Sequence, residues 1–216
     1  MELFKNNQQL ITYLKNRIPQ GNNWNEKNYV KQEIVIGEYK KAETIYFLLE
    51  GTATVEILSD DKQYISAFIF ENDLFGIDSF STFKQKSHTI RIISPTATIF
   101  SIKKTALLAA LNHDPHYYEL ILTNFADIFQ RHYGYFDFLH LSPTNRVHYT
   151  LNYLSDYIGI INLHNELELP KFITQDILAK FCRTSQSRIS LSLKELYQTG
   201  WLLKKTIPLT INQTNC

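Results

Sequence analysis

The run Ile173-Thr174-Gln175-Asp176-Ile177-Leu178-Ala179-Lys180-Phe181-Cys182-Arg183-Thr184-Ser185-Gln186-Ser187-Arg188-Ile189-Ser190-Leu191-Ser192-Leu193-Lys194-Glu195-Leu196 reads as two short helices joined by a tight turn. Leu178, Ala179, Phe181 and Cys182 make an inner face for the first helix. Ile189, Leu193 and Leu196 recur at i, i+4 and i+7 on the second. Ala179 is small, as a close helix crossing requires. Ser185 is a good N-cap, because its hydroxyl satisfies a backbone N–H of the first turn. Gln186, Ser187 and Arg188 then stand at the start of the second helix, and these are side-chain types that reach base edges. The layout is that of a helix-turn-helix whose second helix enters the major groove, so the expected partner is duplex DNA.

The residues after the helix pair extend that reading. Gly200 is a helix stop, and Trp201-Leu202-Leu203-Lys204-Lys205, Thr206-Ile207-Pro208 and Leu209-Thr210-Ile211 read as a short β-hairpin wing. Lys204 and Lys205 on it are placed to meet phosphates. From residue 141 onward there are 8 Lys/Arg against 5 Asp/Glu, whereas residues 1–140 carry 14 against 16. The basic half is thus the half expected on DNA.

Upstream, residues 1–18 predict an amphipathic helix ended by Pro19-Gln20-Gly21. From about residue 28 to 102 the period changes to two. The predicted strands are 33–36, 44–49, 52–58, 64–70, 89–93 and 98–102, with turn-like breaks between them. Many short strands with tight turns indicate an antiparallel, jelly-roll-like β-roll. A short helix over 103–111 comes next. Asp114-Pro115 starts a long helix that runs to about Leu139. In it Tyr118, Leu122, Phe125, Phe129, His132, Phe136 and Leu139 recur at 4,3,4,3 spacing, a coiled-coil type of seam. A second apolar row, Ile121, Ile128 and Tyr135, lies beside it. So wide an apolar face needs two surfaces, and the same helix of a second chain is the simplest partner for the seam. Ser142-Pro143 repeats the cap-plus-proline signal before a helix over 144–157, and 159–170 reads as a loop or small strand pair. The fold class is therefore α+β. Residues 1–112 form a sensor-like roll, 113–141 a dimerisation helix and hinge, and 142–216 a winged helix-turn-helix.

The order of these elements resembles the CRP/FNR superfamily of bacterial transcription regulators over nearly the whole chain. The resemblance is carried by Ile36-Gly37-Glu38, Ala42-Glu43-Thr44-Ile45-Tyr46 and Leu49-Glu50-Gly51 in the roll. In the C-terminal part it is carried by Ile173-Thr174-Gln175-Asp176, Leu178-Ala179, Thr184-Ser185, Leu193-Lys194-Glu195-Leu196 and Gly200. It implies a homodimer on an imperfect palindrome, with half-sites one helical turn apart. It also implies that Gln186 and Ser187 occupy base-reading positions with Arg188 adjoining them, and that Thr174, Gln175 and Ser185 hold the DNA backbone. Leu191 falls where the family often has a contacting arginine. Arg183 stands where the family usually has glycine, and a left-handed backbone there would cost about 1–2 kcal/mol. A phosphate contact by Arg183 would offset part of that.

The family's cyclic-nucleotide site needs Gly-Glu and, about ten residues on, Arg-Ser. Here the corresponding residues are Gly76-Ile77-Asp78 and Lys86-Ser87. Lysine offers a point charge without the planar fork of arginine, and Asp78 is one residue late. Independence from cyclic AMP is expected. An unidentified small anion held by Gly76, Asp78, Lys86, Ser87 and His88 stays open, as does a roll packed shut. An activator would also need RNA polymerase as a partner.

Several function classes are excluded on inventory. Cys182 and Cys216 are the only cysteines, so one chain builds neither a disulfide framework nor a four-cysteine cluster. A cupin-type metal enzyme needs clustered histidines, and the roll holds only His88. No enzyme activity, metal or cofactor is expected. With no run of 18 apolar residues, no membrane span is expected either, and a cytoplasmic location is the expectation. The alternative from another class is a small-molecule-binding roll that acts through protein contacts.

Overall fold

The computed structural model describes residues 3–37, 43–82 and 87–212, with side chains from Asn7 onward. Glu38, Ala42, Lys86 and Cys216 lie outside them. The chain divides into two compact units, Met1–Ile57 with Phe68–Arg131, and Leu58–Ala67 with His132–Cys216.

The first unit begins with helix α1 (Leu3–Arg17), which stops two residues before Pro19 and buries Leu10, Ile11 and Leu14. Next come strands β1 (Trp24–Val30), β2 (Ile34–Ile36), β3 (Thr44–Glu50), β4 (Ala53–Ser59), β5 (Lys62–Ile69), β6 (Leu74–Phe75), β7 (Thr89–Ile92) and β8 (Thr96–Lys103). They form two four-stranded sheets, ordered β1-β8-β3-β6 and β2-β7-β4-β5. Alternation along β3 assigns its two faces. Ile45 and Phe47, with Phe100 and Ile102 of β8, pack on α1 and on helix α2 (Lys104–His113). Leu48, with Ala97 and Ile99, joins Ala53, Ile90 and Ile92 of the other sheet in the interior of the roll. The sequence signal gives six strands, and the structure adds β1 and β6. β1 (WNEKNYV) is mostly exposed and pairs only with β8, so it carries no apolar alternation to read.

Helix α3 (Tyr117–Leu139) begins three residues later than Asp114, because 114–116 form a tight turn with i→i+3 hydrogen bonds. Asn7 of α1 and Asn124 of α3 exchange amide hydrogen bonds, both 2.9 Å, where both side chains are buried.

The second unit contains the end of α3, α4 (Pro143–Ile158), α5 (Gln175–Phe181) and α6 (Gln186–Gln198). Strands β9 (Ile160–Ile161), β10 (Leu167–Glu168), β11 (Leu202–Lys204) and β12 (Thr210–Ile211) complete it. The Ser142 hydroxyl accepts from the Asn145 N–H and Pro143 occupies the first turn of α4, as the sequence predicts. Val147, Leu151, Leu154, Leu178, Cys182, Ile189 and Leu193 are at most 1 % exposed and form the helical core. Phe138, near the end of α3, stacks with Tyr135 and tilts against Phe181. Gly134 permits a close approach: a Cβ there would lie 3.2 Å from the Tyr149 hydroxyl. The wing is larger than the expected hairpin. β12 lies between β11 and β10, so the strand pair at 160–168 extends it to four strands, β11-β12-β10-β9.

Candidate functional site

The α5–α6 pair is held by its caps. The Thr174 hydroxyl accepts from the Ile177 N–H at 3.3 Å, and the Ser185 hydroxyl accepts from the Arg188 N–H at 3.2 Å. Each cap is worth about 1 kcal/mol. Burial of Ile189, Ser192, Leu193 and Leu196 turns one side of α6 inward. The opposite side exposes Gln186, Ser187, Ser190, Leu191 and Lys194. Gln186 donates to the Asp176 carboxylate at 3.1 Å, across the turn. Gln175 is half-buried, while Lys204 and Lys205 are exposed on the wing, Lys205 lying 5.3 Å from the Tyr197 ring centre.

Arg188 takes another direction. Its Nη2 donates to the Thr144 hydroxyl at 3.1 Å and lies 3.8 Å from the Glu195 carboxylate. Thr144 in turn donates to Glu195 at 2.6 Å. Arg188 therefore fastens α6 to α4 along the flank of the exposed face. Sequence periodicity finds the buried side of α6 but not this third contact. Ser190 and Lys194 also belong to the exposed side, and neither is among the residues expected at the DNA.

Arg183 has φ +48°, the left-handed conformation expected at the turn. Its Nε donates to the Tyr135 hydroxyl at 3.2 Å, and its guanidinium lies 4.9 Å from the Tyr64 ring centre. The strained residue is thus compensated within the chain, by a hydrogen bond and a cation–π contact. Cys182 is fully buried beside the Thr150 hydroxyl at 3.3 Å, and burial pushes its thiol up to about 11. Such a thiol is unreactive at neutral pH.

On α3 the seven-residue seam divides. Tyr118 and Phe125 are partly buried against the core of the roll, and Leu139 is half-buried. Leu122, Phe129, His132 and Phe136 are exposed. Tyr133, which the 4,3 spacing skips, joins them, and Leu122, Phe129, Tyr133 and Phe136 are each at least 60 % exposed. They stand at i, i+7, i+11 and i+14, one stripe on a helix of 3.6 residues per turn.

In the roll, Gly76 (φ +78°) opens a 3-10 turn, Ile77–Phe80. A Cβ at Gly76 would meet the Thr44 carbonyl at 2.8 Å and the Tyr46 ring at 2.9 Å, so glycine is required twice over. Asp78 is half-buried within that turn, Ser87 is exposed and His88 half-buried. Lys104 donates to the Ser79 carbonyl at 2.9 Å and lies 5.2 Å from the Phe80 ring centre. Two arginines of this unit are paired. Arg131 meets the Asp73 carboxylate through two bonds, at 2.7 and 2.9 Å. Arg91 meets Glu56 at 2.9 Å, and Glu56 is 6 % exposed. Among the described residues no group of three or more His, Cys, Asp and Glu gathers as for a metal, and no helix is long and apolar enough to cross a membrane.

Residues 26–114 match the family model of the cyclic nucleotide-binding domain. A cyclic nucleotide-binding domain containing protein from Listeria monocytogenes is 32 % identical, with TM-score 0.85 over 97 % of this chain and 99 % of that one. FixK2 from Bradyrhizobium japonicum superposes with TM-score 0.74 at 17 % identity, over 88 % and 92 % of the two chains. The c-di-GMP responsive global regulator CLP from Xanthomonas campestris superposes with TM-score 0.76 at 17 % identity, over 94 % and 98 %. No curated protein matches the sequence. At 32 % identity over 97 % of its length, the chain belongs with the Listeria protein to the cyclic nucleotide-binding domain containing proteins, and its fold is that of CRP/FNR-type regulators.

Proposed function

We propose that the protein is a homodimeric, sequence-specific DNA-binding regulator that works without cyclic AMP. The observation that carries this reading is α6: a capped helix with a buried apolar side and an exposed side of Gln186, Ser187, Ser190, Leu191 and Lys194. Thr174, Gln175, Ser185, Lys204 and Lys205 surround it as backbone contacts, and Arg183 and Arg188 set its pose through their bonds within the chain. The stripe of Leu122, Phe129, Tyr133 and Phe136, with His132 beside it, is covered by its equivalent in a second chain. The roll of 1–112, the helix of 113–141 and the winged module of 142–216 then take sensory, dimerising and DNA-reading roles. The target is an imperfect palindrome with half-sites about 34 Å apart. RNA polymerase becomes a partner where the bound dimer activates.

Independence from cyclic AMP is supported by the ligand positions. Ile77 stands where the family has glutamate, and Arg91 and Arg131 are each committed to a carboxylate. A small anion other than a cyclic nucleotide stays the candidate effector for Gly76, Asp78, Lys86, Ser87 and His88.

The test is selection of bound duplexes from a random pool, followed by light scattering of the complex. Two chains on a palindromic site support the reading; a single chain with equal affinity for every duplex refutes it and favours a roll that acts through protein contacts. Cyclic AMP at about 1 mM is expected to leave the melting temperature unchanged. A Kd of about 10 μM would instead add about 2.7 kcal/mol.

A further inference from the structure

Leu191 is the residue of α6 that neither packing nor hydrogen bonding explains. It is 52 % exposed, whereas Ile189 and Leu193, two residues to either side, are at most 1 % exposed. It stands in line with Ser187 (i−4) and Lys194 (i+3), which are also exposed, and Ser190 precedes it on the same side. A branched aliphatic side chain therefore lies in the middle of an otherwise polar, outward face. Its nearest exposed neighbours toward the N-terminus are serines, whose short hydroxyls do not reach past it.

We propose that Leu191 recognises a thymine in each half-site through the C5-methyl group. This rests on the reading of α6 as the DNA-contacting helix and gives that site one element of its sequence preference. The argument is one of chemical inventory. In the major groove guanine presents two acceptors, adenine an acceptor and a donor, and cytosine a donor, while thymine adds the one apolar group, its methyl. Leucine has no donor or acceptor. Set against adenine, guanine or cytosine, it removes water from a polar base edge and returns no bond. Set against the thymine methyl, it buries apolar surface on both sides. Arg188, the adjoining side chain with strong donors, is directed at Thr144 and Glu195 and does not compete for the same base.

The test uses the full-length chain and a duplex recovered from a random pool. Each thymine is replaced in turn by deoxyuridine, which removes the methyl and leaves every hydrogen-bonding group. Affinity is read by fluorescence anisotropy at fixed salt. One symmetry-related pair of thymines should respond, with a loss of about fourfold for one half-site and about 15-fold for both, the scale of one buried methyl group. At that pair Leu191→Ala should bind thymine and deoxyuridine duplexes alike, and a 5-methylcytosine·guanine pair should lose less than a cytosine·guanine pair. Leu191 is on the surface, so Leu191→Ala should melt as the native chain does; Leu191→Gln, of similar size, is a second variant that should lose the methyl response. A duplex whose thymines all tolerate deoxyuridine within twofold overturns the proposal, as does a Leu191→Ala chain that keeps the response. Recovery of no duplex at all overturns the DNA-binding reading itself, and this inference with it.

Discussion

Several polar side chains of the roll and several on the outward side of α6 face opposite fates. In the roll they are turned on one another: Asp73 with Arg131, Glu56 with Arg91, Asn7 with Asn124. On α6, Ser187, Ser190 and Lys194 face solvent beside an exposed leucine. A region that neutralises its own charges has little left for a ligand, and removing one partner leaves an expensive orphan. The exposed Ser190 and Lys194 add little to stability and are available to the DNA partner proposed above. Sequence charge counts do not distinguish the two, since both are ordinary in composition.

The sharpest way to break the contrast is at the surface, where function should fail without loss of fold. Leu122→Asp with Phe129→Asp should yield a monomer whose operator affinity falls by about 100-fold or more, since the second half-site is no longer bound in the same event. Its far-UV circular dichroism should stay that of the native chain, because both side chains are exposed on the single chain, while its urea midpoint should fall by what the dimer contact contributes. Sedimentation showing a persistent dimer would remove α3 from the interface.

In the roll the reverse is expected. Asp73→Ala should cost about 3 kcal/mol in urea unfolding, because it takes the paired carboxylate away from the Arg131 guanidinium and from the Phe70 N–H. Adding Arg131→Met to that variant should recover more than half of the loss. A single variant as stable as the native chain would mean that the pair is not desolvated.

Arg183 sharpens the comparison on a smaller scale. Arg183→Ala retains the left-handed strain and loses both tyrosine contacts, so a loss of about 1–2 kcal/mol is expected. Arg183→Gly loses the contacts but relieves the strain, and should be more stable than the alanine variant by about 1 kcal/mol. The reverse order would mean that the backbone at 183 is unstrained.

The smallest effect is that of pH on His148, whose ring meets Trp201 edge-on with centres 4.4 Å apart. Burial holds its imidazole below the ordinary value. The unfolded chain therefore binds the proton more readily. The contribution is complete above about pH 6.5 and is lost as pH falls through the lower folded value. Stability compared at about pH 7.5 and about pH 5.5 should drop slightly more for the native chain than for His148→Gln.

Most of the architecture was legible because its signals are local. Ser142-Pro143 and Ser185 mark helix starts through bonds made within three residues, and the roll strands announce themselves by alternation. What escaped depends on long-range partners. β1 is polar because it is a mostly exposed edge strand, whose place is set by its ladder with β8 and by contacts such as that of Asn28 with Thr98. Tyr133 escaped because a heptad reading drifts about 20° per repeat from a straight helix, which brings position i+11 onto the exposed stripe. Arg188 has the composition of a base reader, yet its direction is set by Thr144, 44 residues away, and no spacing rule carries that. The turn residue Arg183 was legible as strained, but not the aromatic pair that answers the strain.

The second unit takes in ten residues from the tip of the β4–β5 hairpin, so the backbone passes from one unit to the other three times, after residues 57, 67 and 131. No single cut of the chain yields both units whole. A C-terminal fragment beginning in α3 would lack Tyr64 and Ile65, the residues that meet Arg183 and Tyr135. Separating the helix pair from the roll by truncation would thus also take away contacts of the turn between its two helices, and dissection by point substitution is the sounder route.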